Sequence, residues 1–222
     1  MTAPTTLRLA HRGDHRQHQE NSLEAIVAAL EVPGCDGVEF DVRASRDGIP
    51  MVVHDATLER VQGRPEVVAE LDADELESLG VPRLSAVLPA LPRAAFLVIE
   101  LKEPFGRGLV EILAAGRGPE LNGAVLSSFD RLALSRLQGL VPGWPRWLGS
   151  HDLAPGTVAA ALDLGCRGVM VEWPAIDGPS CAAAHAAGLE VAAYTVTERA
   201  DYLRLVGMGV TAICVEGEAL TG

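Results

Sequence analysis

The chain has 222 residues, 48% of them hydrophobic, which is ample core material for one large domain spanning 1–222. Asp and Glu number 30 against 18 Lys and Arg, a net charge of -12 that excludes a general nucleic-acid or anionic-membrane surface. It leaves room for an anionic substrate, because a bound cation reverses the local field of a site.

The first apolar run, 7–10, ends at His11-Arg12-Gly13, and a helix is expected over 22–31. Asn21-Ser22-Leu23-Glu24 resembles an N-cap with a Glu three positions on, which makes Asn21 a structural residue first and a ligand contact second. The second run, 37–41, holds Glu39 and Asp41. Asp47-Gly48 then signals a tight hairpin turn, so 42–49 is read as a hairpin whose return arm, 51–54, brings His54 back to the same rim. A polar excursion over 56–80, with a short helix near 74–79, is expected as a rim flap. A helix over 84–91 leads to a third run, 96–101, which carries Glu100.

From there the rhythm is regular. Helices are expected at 108–115, 130–137, 155–164, 179–187 and 199–206, and strands at 124–127, 146–149, 168–171, 190–194 and 211–215. The strand runs are continuously apolar, as strands covered on both faces should be. Eight such strands alternating with helices predict an α/β protein of the (β/α)8 TIM-barrel type, with a doubly wound open sheet as the alternative. No stretch is long and apolar enough to cross a membrane, no leader pattern opens the sequence, and no phosphate-loop or nucleophile-elbow motif occurs. Cys35, Cys166, Cys181 and Cys214 lack metal or redox spacing, so reduced thiols and a cytoplasmic location are expected.

In a barrel, reactive groups sit where strands end. His11, Glu39, Asp41 and Glu100 all fall there, and alternation along a strand turns Glu39 and Asp41 to one side. Three converging carboxylates repel one another without a cation, and three hard oxygen donors suit Mg²⁺, Ca²⁺ or Mn²⁺ better than zinc. Arg12 offers a planar fork for two phosphoryl oxygens and Lys102 a point charge, though either could instead serve only to neutralise the acidic trio. His15, His18, His151 and His185 fall in loops or a helix, where solvation is the plainer reading, although His15 and His18 could face the pocket mouth.

The segments His11-Arg12-Gly13, Glu20-Asn21-Ser22, Glu39-Phe40-Asp41-Val42, Arg46-Asp47-Gly48, Val53-His54-Asp55, Glu100-Leu101-Lys102, Ser128-Phe129-Asp130 and Tyr194-Thr195-Val196 resemble, in order and spacing, the glycerophosphodiester phosphodiesterases of the phospholipase-C-like barrel group. The resemblance implies a divalent cation on Glu39, Asp41 and Glu100. It also implies His11 and His54 as the general acid/base pair (His11 taken as base, His54 as acid), with Arg12 and Lys102 on the phosphate. The expected reaction splits a small-molecule glycerophosphodiester into an alcohol and glycerol 3-phosphate. The C-terminal end departs from the family: Tyr194 stands where a Trp is usual, Thr197 where an Asn is, and Val215-Glu216-Gly217 where an Asp precedes a Pro. Tyr194 is therefore placed on the pocket wall. Two rival readings keep the fold: a lysophospholipase D or phosphoinositide-type enzyme, which should expose an apolar lip near 141–147 or Trp173-Pro174, and a non-catalytic phosphate-ester-binding barrel. No nucleic acid and no stable membrane insertion are expected, and monomer and homodimer are equally compatible with the sequence.

Overall fold

The continuous apolar runs become strands buried on both faces. The computed structural model describes residues 6–222. Its strands are β1 (Leu7–His11), β2 (Gly37–Ala44), β3 (Pro50–Val52), β4 (Phe96–Leu101), β5 (Ala124–Ser128), β6 (Arg146–Ser150), β7 (Gly168–Glu172), β8 (Glu190–Val196) and β9 (Ala212–Val215). The order β1-β9-β8-β7-β6-β5-β4-β2 closes on itself through parallel pairing of β1 with β2, and β3 lies antiparallel outside β2. This is the expected (β/α)8 barrel, and the open-sheet alternative falls with that closing pair.

Inward-facing Leu9, Val98, Val125, Trp147, Met170, Ala192, Ala212 and Cys214 fill the barrel beneath the C-terminal mouth. The outward faces pack the helices in two larger clusters, one around Val38, Ile99 and Leu126 and the other around Val169, Val191 and Ile213. All four cysteines are free. Among the described residues no helix is long and apolar enough to cross a membrane.

β2 runs on to Ala44 because the hairpin arm continues it, with Val42 opposite Val52 and Ala44 opposite Pro50. The 56–80 excursion is more built than a flap. A short helix (Glu59–Gln62), a 3₁₀ turn (Val68–Glu70) and a capped helix (Ala73–Ser78) enclose their own apolar core of Met51, Val53, Leu58, Val68, Ala73, Leu76 and Val81. A further short helix, Gly217–Thr221, follows β9.

One expected lip is displaced by topology. Residues 141–147 lead into the N-terminal end of β6, the end of the barrel away from the mouth, and Trp144 there is buried with Nε1 donating to the Pro119 carbonyl at 2.7 Å. Trp173 does lie beyond β7 at the mouth, where the Arg204 guanidinium covers its ring at 5.3 Å.

Candidate active site

Glu39, Asp41 and Glu100 project into the mouth from adjacent strands, with Asp41 directly beside Glu100 in the β2–β4 register. Their relative exposures are 1%, 1% and 7%, and one oxygen of each lies within 4.8 Å of the others. Such a trio is costly to bury unless its charge is offset. Two cations do so in part: Lys102 Nζ sits 2.8 Å from Asp41 Oδ1 and bonds Glu100 Oε1, and Arg12 Nε lies 3.3 Å from Asp41 Oδ2. Asn21 completes the shell of Asp41, donating to its Oδ2 at 2.8 Å and accepting from its backbone N–H at 3.2 Å.

The compensation is uneven. Burial acts to raise the Asp41 carboxyl, but Lys102 and Arg12 hold it down at about 2. Burial, then repulsion from Asp41 and Glu100, pushes Glu39 well above the usual carboxylate range, and burial and Asp41 raise Glu100. Glu39 Oε1 is buried without a hydrogen-bond partner. An unpartnered carboxylate oxygen facing two other hard oxygen donors fits a divalent cation in this cluster.

Both imidazoles of the expected pair are anchored through Nδ1. His11 Nδ1 lies 2.5 Å from Glu216 Oε1, and its Nε2 is 3.8 Å from Glu39 Oε2. His54 is brought beside the trio by the hairpin return, where Val53 N–H donates to the Asp41 carbonyl at 3.0 Å. Its Nδ1 lies 2.6 Å from Asp55 Oδ1, and burial lowers the ring's pKa against the pull of Asp41 and Asp55. The carboxylates select the Nδ1–H tautomer and leave Nε2 unprotonated, which in His11 lies on the side of Glu39.

The far wall carries Tyr194, whose hydroxyl donates to the Ser150 carbonyl at 3.0 Å and whose ring meets Phe129 edge-on at 5.7 Å. Phe129 covers Gly149, where a Cβ would come within 2.6 Å of the ring. His151 and Glu172 pair at 2.8 Å in solvent, and His185 lies in the Gly178–Ala186 helix on the outside of the barrel.

Four contributors stand outside the residues that the sequence puts first. Ser22, not Asn21, is the N-cap of the Leu23–Ala29 helix, its side chain accepting from Ala25 N–H, so Asn21 at φ 58 is free to face Asp41. His15 faces the mouth, 3.5 Å from Glu216, which raises its pKa through that hydrogen bond. Glu216 was visible only as a departure from the family pattern, yet β9 neighbours β1 with Val215 opposite Ala10, which puts the next residue of each strand side by side. Arg60 carried no signal beyond its place in a polar stretch.

A closed barrel whose mouth gathers three buried carboxylates, two cations and two carboxylate-anchored imidazoles belongs to the class of barrels built for anionic esters. Residues 11–106 match the sequence profile of the glycerophosphoryl diester phosphodiesterase family. A glycerophosphodiester phosphodiesterase of Caldanaerobacter subterraneus subsp. tengcongensis is 38% identical over 74 residues, a stretch that spans 33% of this chain and only 30% of that protein. The Bacillus subtilis glycerophosphodiester phosphodiesterase is 26% identical over 241 residues, 93% of this chain and 82% of its own length. In structure, an Oleispira antarctica phosphodiesterase in complex with the product sn-glycerol-3-phosphate superposes with a TM-score of 0.83 at 25% identity, covering 95% of this chain and 93% of that one. The chain is thus similar to the glycerophosphoryl diester phosphodiesterase family over residues 11–106 in sequence, and to the Oleispira phosphodiesterase over nearly its whole length in fold.

Proposed function

We propose that the protein hydrolyses glycerophosphodiesters to an alcohol and glycerol 3-phosphate with the help of one divalent cation. The observation that carries this reading is the buried, incompletely compensated trio Glu39, Asp41 and Glu100 beside two imidazoles fixed through Nδ1. These three side chains would hold Mg²⁺, Ca²⁺ or Mn²⁺, which when bound supplies Lewis-acid stabilisation of phosphoryl charge.

The chain's own residues do the rest. A phosphodiester anion repels nucleophiles, and Arg12 and Lys102 offset that charge, the first as a fork and the second as a point. His11, with Nδ1 engaged by Glu216, presents Nε2 to take a proton from the attacking hydroxyl, either water or the substrate's own neighbouring hydroxyl. His54 returns a proton to the leaving alcohol oxygen. Because burial lowers His54, its protonated form is the stronger donor, and the alkaline limb of the pH profile should fall below the ordinary imidazole range. Tyr194 and Phe129 wall the side away from the cation.

A panel of glycerophosphodiesters assayed with each ion and with chelator tests the reading. Turnover should vanish with chelator and return with one or more of the ions, and His11→Ala or His54→Ala should cost about 10²–10⁴-fold in kcat. Measurable orthophosphate binding without turnover of any diester would replace the hydrolase by a phosphate-ester binder.

A further inference from the structure

Arg60 stands on the Glu59–Gln62 helix of the excursion, outside the mouth, and touches none of the three carboxylates. It nevertheless joins the two halves of the site. Its Nη1 and Nη2 grip Glu20 Oε2 and Oε1 at 2.7 and 2.6 Å, and its Nε donates to Asp55 Oδ2 at 2.6 Å. Glu20 Oε1 also accepts from Arg12 Nη1 at 2.8 Å, and the other oxygen of Asp55 engages His54. One guanidinium thus lies one residue away from the cation assigned to the phosphate and one residue away from the imidazole assigned to the leaving group.

We infer that Arg60 is a positioning residue that sets Arg12 and His54 together, and that it does so by dividing two carboxylates. Without it, Glu20 would have Arg12 as its only cationic partner and would compete with a phosphate oxygen for that fork. Asp55 would likewise lose the contact that fixes Oδ2 and leaves Oδ1 for His54. The planar fork of arginine holds both oxygens of Glu20 and one of Asp55 in a single fixed geometry, which the point charge of an ammonium does not impose. Partial exposure does not undo the argument: the Arg60 side chain is 49% exposed, but Glu20 and Asp55 are 16% and 24% exposed, and the effect claimed is on orientation, not on stability. The backbone beneath Arg60 is firm, since Leu58 and Val68 are buried in the excursion's core and Thr57 bridges to Val67.

The inference rests on the roles proposed above for Arg12 and His54, and the test separates the two. Arg60→Ala and Arg60→Lys are compared with wild type for kcat, for KM and for orthophosphate affinity by calorimetry. Arg64→Ala, which removes only a solvent-side pair with Glu66 in the same excursion, is the control. Both Arg60 variants should lose about 10²-fold in kcat/KM, the scale of a small misplacement of reacting groups, with the loss shared between a lower kcat and a higher KM. Orthophosphate binding should weaken in parallel. Millimolar guanidinium chloride should restore most of the loss in Arg60→Ala, while potassium chloride at the same ionic strength should not. Should Arg60→Ala fail to fold, Arg60→Lys keeps the charge and carries the comparison. Kinetic constants within twofold of wild type in either folded variant would overturn the inference, as would a loss in Arg60→Ala that guanidinium leaves unchanged. Inactivity of wild type on every diester would overturn the hydrolytic reading instead. Arg60 would then be judged by the NMR signal of the His54 Nδ1–H proton, which should broaden by exchange in both variants and would refute the inference by staying sharp.

Discussion

His11 and Glu216 lie 205 positions apart in the chain and meet at 2.5 Å through Nδ1 and Oε1. Barrel closure is the reason: β9 and β1 are neighbours, so the residue that ends one strand faces the residue that follows the other. The contact holds Glu216 ionised well below the usual carboxylate range, through the hydrogen bond from His11 and then that from His15. A carboxylate so placed orients the imidazole and supports the imidazolium that forms when it takes a proton.

Glu216→Gln should therefore lower kcat by about 10²-fold with little change in KM, since the amide oxygen accepts the same hydrogen bond without the charge. Steady-state kinetics at saturating metal decide this. A pH dependence of stability accompanies it. The folded-state pKa of Glu216 is depressed, so its contribution is present above the unfolded value of 4.5 and is lost as pH falls from there toward the folded value. Thermal midpoints of wild type should drop across that acid range, and those of Glu216→Gln should drop less. Parallel curves would remove Glu216 from the account.

Glu39 carries the opposite sign. Its folded pKa is raised by burial and by Asp41 and Glu100, so its ionisation weakens the metal-free protein as pH rises through the folded value. In chelator at neutral pH, Glu39→Gln should melt higher than wild type, by about 2–4 °C for each kcal/mol relieved. Added Mg²⁺, Ca²⁺ or Mn²⁺ should reverse the ranking. A hundredfold excess over Kd stabilises wild type by about 2.7 kcal/mol, and the variant, with a ligand lost, should gain far less. Scanning calorimetry with and without each ion checks both halves, and equal shifts in the two proteins would take Glu39 out of the cation site.

Asn21 spends both ends of its amide on Asp41 and holds a left-handed backbone to do so. Asn21→Ala removes both bonds inside a buried site, and a destabilisation of about 1–3 kcal/mol is expected. Metal affinity should fall about 10–100-fold, as when a partner that orients a ligand is removed. Titration calorimetry with Mn²⁺ reads the affinity, and denaturant unfolding the stability. Unchanged affinity would reduce Asn21 to a loop residue.

The strands, the hairpin and the acidic trio were legible because each is written locally: continuous apolar runs, an Asp-Gly turn, and carboxylates at strand ends. What was hidden depends on closure or on small offsets. The Glu216–His11 pair exists only once the first and last strands touch, and no local pattern carries that. Asn21 and Ser22 are both good caps, and the tie is broken by Asp41, a residue 20 positions away that draws Asn21 inward. The excursion reads as polar because its core residues, Leu58, Val68 and Leu76, are spread thinly among charges, although they pack together with Met51 from β3. The lip expected at 141–147 failed on direction alone, since a loop entering a strand lies at the far end of a barrel from one leaving it.

Gly13 ties backbone geometry to the phosphate side of the site. It turns the chain after β1 at φ +86, with Arg12 before it at φ 59, and a Cβ there would lie 2.5 Å from the Ala25 backbone carbon. That carbonyl accepts from Asp14 N–H at 2.8 Å, so the loop cannot retreat without breaking the bond that pins it. Gly13→Ala should cost more than about 1 kcal/mol in stability, because alanine is strained at this φ and collides with backbone. The displacement would reach Arg12 first, whose own N–H donates to the Glu39 carbonyl at 2.8 Å. KM for the diester and the orthophosphate Kd should rise together while metal affinity changes less, because the trio stands on β2 and β4 rather than on this turn. Loss of metal affinity in step with phosphate affinity would mean that the β1 turn supports the whole mouth and not its anion side alone.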